Sequence, residues 1–489
     1  MKKTLSIITI CCLFSLGCGK NFIELNPITS GSTNDFYKTV QDITNAVNAT
    51  YASLQTASSS DYIVGDIPTD DSFADAASCL VGHCDFDLFN VIPVGTTSAG
   101  VLNTRWTALY KGISRANIVL SRIDPVAFGN DIVKNRMKGE AKFLRAYFYY
   151  SLVTTFGDVP LITKELQSPE ETYEYARAPK VKIYEQIETD LKEAFELLPS
   201  TYAAADIGRA TKWAAEGLLA RVLMFQRKFS EAKPYLKDII DNTTSLYGFL
   251  PNYSDVFRYN NGNNKEIIFA IQYTRGLSPS QGNAAHAYFA PTGNFVQPVG
   301  GAGYNIPTTD LYDEFETGDA RKSSTMALTI TVGTTITSRP HVRKFLDQGI
   351  IQGFDISVDF PILRYSDILL MYAECQNETG ATGDGVLYLN KVRTTARTNL
   401  PPKLLTINQQ DLRVAIEKER RIEFAFEGLH FFDLVRTNRL IPVMNAYFLK
   451  NGIKNQGVLV QIDDHNTVFP VPQQQIDTNP DKITQNTGY

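Results

Sequence analysis

The chain has few of the residues on which catalytic and metal chemistry most often rests. Six cysteines occur in 489 residues; Cys11, Cys12 and Cys18 lie at the extreme N-terminus, which leaves Cys79, Cys84 and Cys375. So sparse a set is no disulfide scaffold, and a chain of this length needs no such staples. Cys79 and Cys84 are near enough in sequence for a local bridge, and Cys375 lies in an apolar helical stretch as a small core residue. The five histidines, His83, His286, His341, His430 and His465, have no ligand spacing, so neither a metal centre nor a cofactor is expected. Asp66, Asp70, Asp71 and Asp75 do not have the spacing of a calcium loop. Residues 300–303 read Gly-Gly-Ala-Gly but lack the strand and helix of a dinucleotide site, and nucleophile elbows and metalloprotease helices are absent from the sequence. The net charge is −5, with no basic stripe, so nucleic acid is not an expected partner.

Long apolar runs are also missing, apart from one short stretch at the start. Lys2 and Lys3 precede the apolar residues 5–16, then Gly17 and Cys18. This is the layout of a secretory signal too short to span a membrane. A cysteine after a small residue at that position is where a bacterial lipoprotein is cleaved and acylated. Residues 1–17 are therefore expected to be the signal, Cys18 the lipidated residue, and 18–33 the tether that anchors the chain to a membrane.

What the chain does have is helical periodicity interrupted by two polar, irregular stretches. Helices are expected over 34–55, with Asn34 as cap, over 104–124, 130–156 and 182–198, and as a pair at 213–223 and 229–239. The Phe, Ala and Tyr offsets in that pair resemble a tetratricopeptide hairpin, and 364–378 with 386–396 forms a second candidate. Stacked hairpins of this kind build a curved scaffold, each burying its apolar face on the next. The fold expected is mainly α: an N-terminal helical scaffold over 34–242, an irregular loop-rich lobe over 243–359 packed on it, and a C-terminal helical scaffold with its tail over 360–489.

The two irregular stretches carry the candidate ligand residues. Loop 57–100 has no helical period and holds Tyr62, Asp66, Asp70, Asp71 and Phe73. The lobe is rich in glycine, asparagine and aromatics, among them Tyr288, Phe289, Phe295 and Tyr304. Loop aromatics can offer flat faces to sugar rings or peptide side chains while their polar ends stay hydrated, although many merely pin a loop to its core. Contacts are expected where the lobe meets loop 57–100. Both tryptophans, Trp106 and Trp213, fall in scaffold helices.

Residues 416–436 form the densest constellation, IEKERRIEFAFEGLHFFDLVR. On a helix from 412 to 427, Glu419, Arg420, Glu423 and Glu427 share a sector about 100° wide beside an apolar wall. Paired carboxylates there could serve acid and base roles, as in a glycoside hydrolase using Glu423 and Glu427. Arg420, at helical spacing from both, favours structural ion pairs that bridge to a neighbouring element instead.

This string, with GEAKFLRAYFYYSLVTTFGDVPLI at 139–162, FPILRYSDILLMYAECQNETG at 360–380, LNKVRTTAR at 389–397 and VFPVPQQQIDTNPDKITQNTGY at 468–489, resembles the SusD/RagB family of outer-membrane lipoproteins. The resemblance implies a non-enzymatic surface protein, lipid-anchored in the outer membrane and facing the cell exterior. It implies capture of oligosaccharide or peptide, and a place as the lid of a TonB-dependent transporter barrel of the SusC/RagA kind. It also implies that the C-terminal tail packs over the helices near Arg436.

Overall fold

The computed structural model describes residues 36–489; the expected signal, the tether and Cys18 lie outside them. Capping chemistry sets where the helices start. Asn34, the expected cap of the first helix, lies outside the described residues; helix α1 (Val40–Ser58) is capped at Thr39, which accepts the Asp42 amide while the Asp42 carboxylate accepts that of Thr39. Thr96 caps α2 (Thr97–Arg122), Asn130 caps α3 (Asp131–Phe156) and Thr211 caps α5 (Lys212–Phe225), each accepting a first-turn amide. Between α3 and α5 stands α4 (Lys180–Leu197), and after them α6 (Phe229–Asn242), α7 (Tyr365–Glu378), α8 (Thr382–Arg393) and α9 (Gln409–Glu423). Helix α1 packs on α2, and from there each helix packs on the next through to α9, in the manner of tetratricopeptide hairpins.

Short strands tie the irregular segments to this row. Strand β1 (Ser72–Phe73) pairs with β3 (Ile306–Pro307), which joins loop 57–100 to the lobe. Strand β2 (Ile267–Ile271) pairs with β6 (Phe360–Arg364), which leads directly into α7. A hairpin, β4 (Met326–Val332) with β5 (Thr335–Val342), completes the lobe. One main core draws on every segment, from Phe148 through Phe289 to Phe431, and a smaller cluster with Ile43, Val119 and Met137 lies under the N-terminal helices. Phe469 and Val471 are buried in the tail, and Asn486 donates to the carbonyls of Phe156 and Phe469. No helix among the described residues is long and apolar enough to cross a membrane.

Candidate functional site

The charged stripe of 416–436 belongs to the interior. Glu419 and Glu423 are fully buried and Glu427 is 4% exposed. Glu423 accepts from Arg364 and Arg397 at 2.8 Å on one oxygen and from Arg321 at 2.9 Å on the other. Glu419 accepts from Arg321 at 2.6 Å and Arg393 at 2.7 Å. Glu427, beyond the end of α9 on a turn with Phe426 at φ +65° and Gly428 at +70°, takes Arg364 at 2.7 Å and Lys344 at 2.9 Å. Burial alone would raise the Glu423 carboxyl, but Arg397, Arg364 and Arg321 outweigh it and hold the group well below the usual carboxylate range. Carboxylates buried and committed to arginine and lysine are out of a substrate's reach, so the hydrolase reading of Glu423 and Glu427 finds no geometry here. Arg420 bridges to neighbouring elements and not to Glu423 or Glu427: the helix ends at Glu423, and Arg420 donates to Asp367 on α7 at 2.6 Å and to Asp433 at 2.9 Å.

The loop acids, expected as ligand contacts, are buried and engaged with groups of the chain itself. Asp66, 1% exposed, accepts the Gly428 amide at 2.9 Å and the Asn305 amide at 3.0 Å. Burial pushes its carboxyl up to about 8. Asp70 pairs with Arg421 and His430, both at 2.9 Å, and Asp71 with Arg421 at 2.6 Å. Asp70, Asp71 and His430 bring metal-ligating atoms within 4.8 Å of one another. Arg421 already supplies the positive charge there, so the group is a neutralised ion cluster and a poor cation site. Phe73, half-buried on β1 opposite Ile306, serves the strand pair.

The aromatic candidates do come together. Tyr288 and Tyr304 stack with ring centroids 5.3 Å apart, and Phe354 lies 4.3 Å from Tyr288. The tyrosines are half-buried and Phe354 is 40% exposed, so the three rings form a partly open face. Backbone bonds from Ala302 and Tyr304 to the Tyr288 carbonyl fold residues 300–304 back on the preceding turn. Gly301 permits this approach, since a Cβ there would meet the carbonyl oxygens of Ala287 and Ala290 at 2.4 Å. Behind the face stand Tyr62 and Phe289, both buried, with centroids 5.0 Å apart. Phe295 stands apart, its ring under Arg339.

Phe354 was not among the residues expected from sequence. Its backbone is left-handed at φ +60°, and Asp355 beside it accepts from Gly276, Ser280 and Gln352. Such a backbone conformation is uncommon for a bulky residue and leaves no trace in composition or period. Exposed Leu277 and Ile351 flank Phe354 on the segments that Asp355 ties together. A separate cavity of about 540 Å³ lies between α2, residues 160–175 and the tail, lined by Trp106, Tyr110, Tyr173, Tyr175 and Ile483. Tyr110 there donates to the Pro160 carbonyl at 2.8 Å, and Trp106 is 5% exposed, so two of its rings are engaged in packing.

Comparison with known proteins accounts for the signature strings. Residues 332–489 match the model of the SusD family, and residues 25–224 match one described as "starch-binding associating with outer membrane". A SusD-like protein of Formosa agariphila is 27% identical across 100% of both chains. Starch-binding protein SusD of Bacteroides thetaiotaomicron is 24% identical across 79% of this chain and 78% of its own. A solved laminarin-binding SusD-like protein superposes with a TM-score of 0.77 at 26% identity, covering 93% of this chain and 100% of that one. Surface glycan-binding protein A of Bacteroides thetaiotaomicron, solved with laminarihexaose, has the same fold at a TM-score of 0.76 and 22% identity, covering 92% of this chain and 99% of that one. The signature helix, the helical hairpins and the relatives at both ends of the chain agree: this protein belongs to the SusD family.

Proposed function

We propose that this protein is a surface glycan-binding lipoprotein of the outer membrane that captures oligosaccharide on the face formed by Tyr288, Tyr304 and Phe354. The observation that carries the reading is that face itself: adjacent rings, partly open, at the meeting of the lobe with loop 57–100, in a chain whose relatives include laminarin- and starch-binding proteins. Aromatic faces recognise the apolar side of sugar rings while hydroxyl groups at the edge stay hydrated. An open face suits a chain that extends beyond it on both sides, and its rings are more exposed than Trp106 in the other cavity. The tether and Cys18 would hold the protein at the membrane, and a TonB-dependent transporter barrel would receive what it captures. Nothing favours catalysis, because Glu423 and Glu427 are committed to buried arginines and lysine.

Calorimetry with laminarihexaose and with a starch hexasaccharide tests the site. Tyr288→Ala and Tyr304→Ala should each weaken binding on the order of tenfold, with the mass of the sugar unchanged after incubation. Full affinity in both variants would remove the face as the site, and Tyr173→Ala would then examine the other cavity. Co-purification of a barrel protein in equal amount from solubilised outer membrane tests the transporter.

A further inference from the structure

Cys79 and Cys84 are joined, closing the turn between the short helices Ala76–Cys79 and His83–Asp87. The turn is tied down on both sides of the bridge. Asp75 caps the first helix, accepting the amides of Ala77 at 3.1 Å and Ser78 at 2.9 Å. Ser98, in the first turn of α2, donates to Asp85 at 2.6 Å. Gly82, at φ +84°, lies so near α2 that an added Cβ would meet the Ser98 nitrogen at 2.7 Å.

His83 is the residue this turn delivers. Only 2% exposed, it sets its ring edge-on against Tyr304 at 4.8 Å and Tyr62 at 5.6 Å, with Nε2 3.3 Å from the Tyr62 hydroxyl. Burial pushes its pKa down to about 4, so the ring is neutral at neutral pH, as an aromatic buttress requires. Tyr304 therefore leans on His83 on one side and on Tyr288 on the other.

We infer that the disulfide-closed turn is the positioning element of the aromatic face: it fixes His83, His83 fixes Tyr304, and the bridge thereby sets the affinity for sugar. The inference rests on the proposed glycan site, and its test separates the two. Protein labelled with fluorotyrosine is compared with its Cys79→Ser/Cys84→Ser variant by fluorine NMR, and both are titrated with laminarihexaose. The Tyr304 resonance should shift while that of Tyr489 stays, and affinity should fall about fivefold as preorganisation is lost. His83→Ala should weaken binding similarly, whereas His83→Phe, which keeps a ring edge against Tyr304, should stay within about twofold of the parent. If the double variant misfolds, reduction of the parent protein with dithiothreitol gives the same comparison. An unmoved Tyr304 resonance overturns the inference, as does unchanged affinity in the bridge variant where Tyr304→Ala weakens binding. Unchanged affinity in Tyr304→Ala itself overturns the placement of the glycan site, and the fluorine spectrum, recorded without sugar, still decides whether the bridge fixes Tyr304.

Discussion

At Asp66, burial raises the carboxyl from 3.8 to about 8, so the folded chain keeps a proton that the unfolded chain releases. Between those values the native state binds the extra proton, and stability falls as pH rises through the window. Among the described residues the Asn305 side-chain oxygen has no partner, and reversing that amide would let it accept the Asp66 proton. Asp66→Asn should therefore gain in melting temperature relative to the parent as pH goes from 5 to 8; a constant difference would show Asp66 ionised throughout. Glu423 has the opposite character. Glu423→Ala leaves Arg321, Arg364 and Arg397 short of a carboxylate and should cost about 3–5 kcal/mol in urea denaturation. The stripe that holds Glu423 was legible from helical spacing. Its partners were not, because Arg397 lies 26 residues away and Arg321 lies 102. No local pattern links them.

Among the elements, the short helix Asp61–Gly65, which carries Tyr62, is pinned by a glycine contact. A Cβ on Gly65 would meet the Gly428 carbonyl oxygen at 2.2 Å, and backbone cannot yield as a side chain can. Gly65→Ala should cost about 1–3 kcal/mol in thermal or urea unfolding and weaken glycan binding as well, since Tyr62 backs the aromatic face. Unaltered stability would mean that the two turns separate freely. Helices were legible from sequence because period is a local signal, whereas the caps at Asn130 and Thr211 emerge only in the structure. The loop 57–100 acids carried no local sign of burial. Their burial depends on Arg421 and His430, some 350 and 360 residues further along the chain.

On the scale of the whole molecule, the row of helices from α1 to α9 was visible in the periodicity, whereas the lobe, held by short strands and loop hydrogen bonds, had no repeating signal to read. The proposed anchor makes its own prediction: Cys18→Ala should move the protein from the membrane to the soluble fraction of cells, and unchanged sedimentation would exclude lipidation there. The buried charges around Glu423 bear on how such an anchored body behaves. Arg321 and Lys344 come from the lobe, Arg364 from β6, Arg397 from beyond α8, and all close on acids at the end of α9. Parting the lobe from the helices would break ion pairs that burial keeps out of reach of screening salt. The lobe and the helices are thus riveted together at a point that salt does not reach, and high ionic strength should leave that join as firm as low.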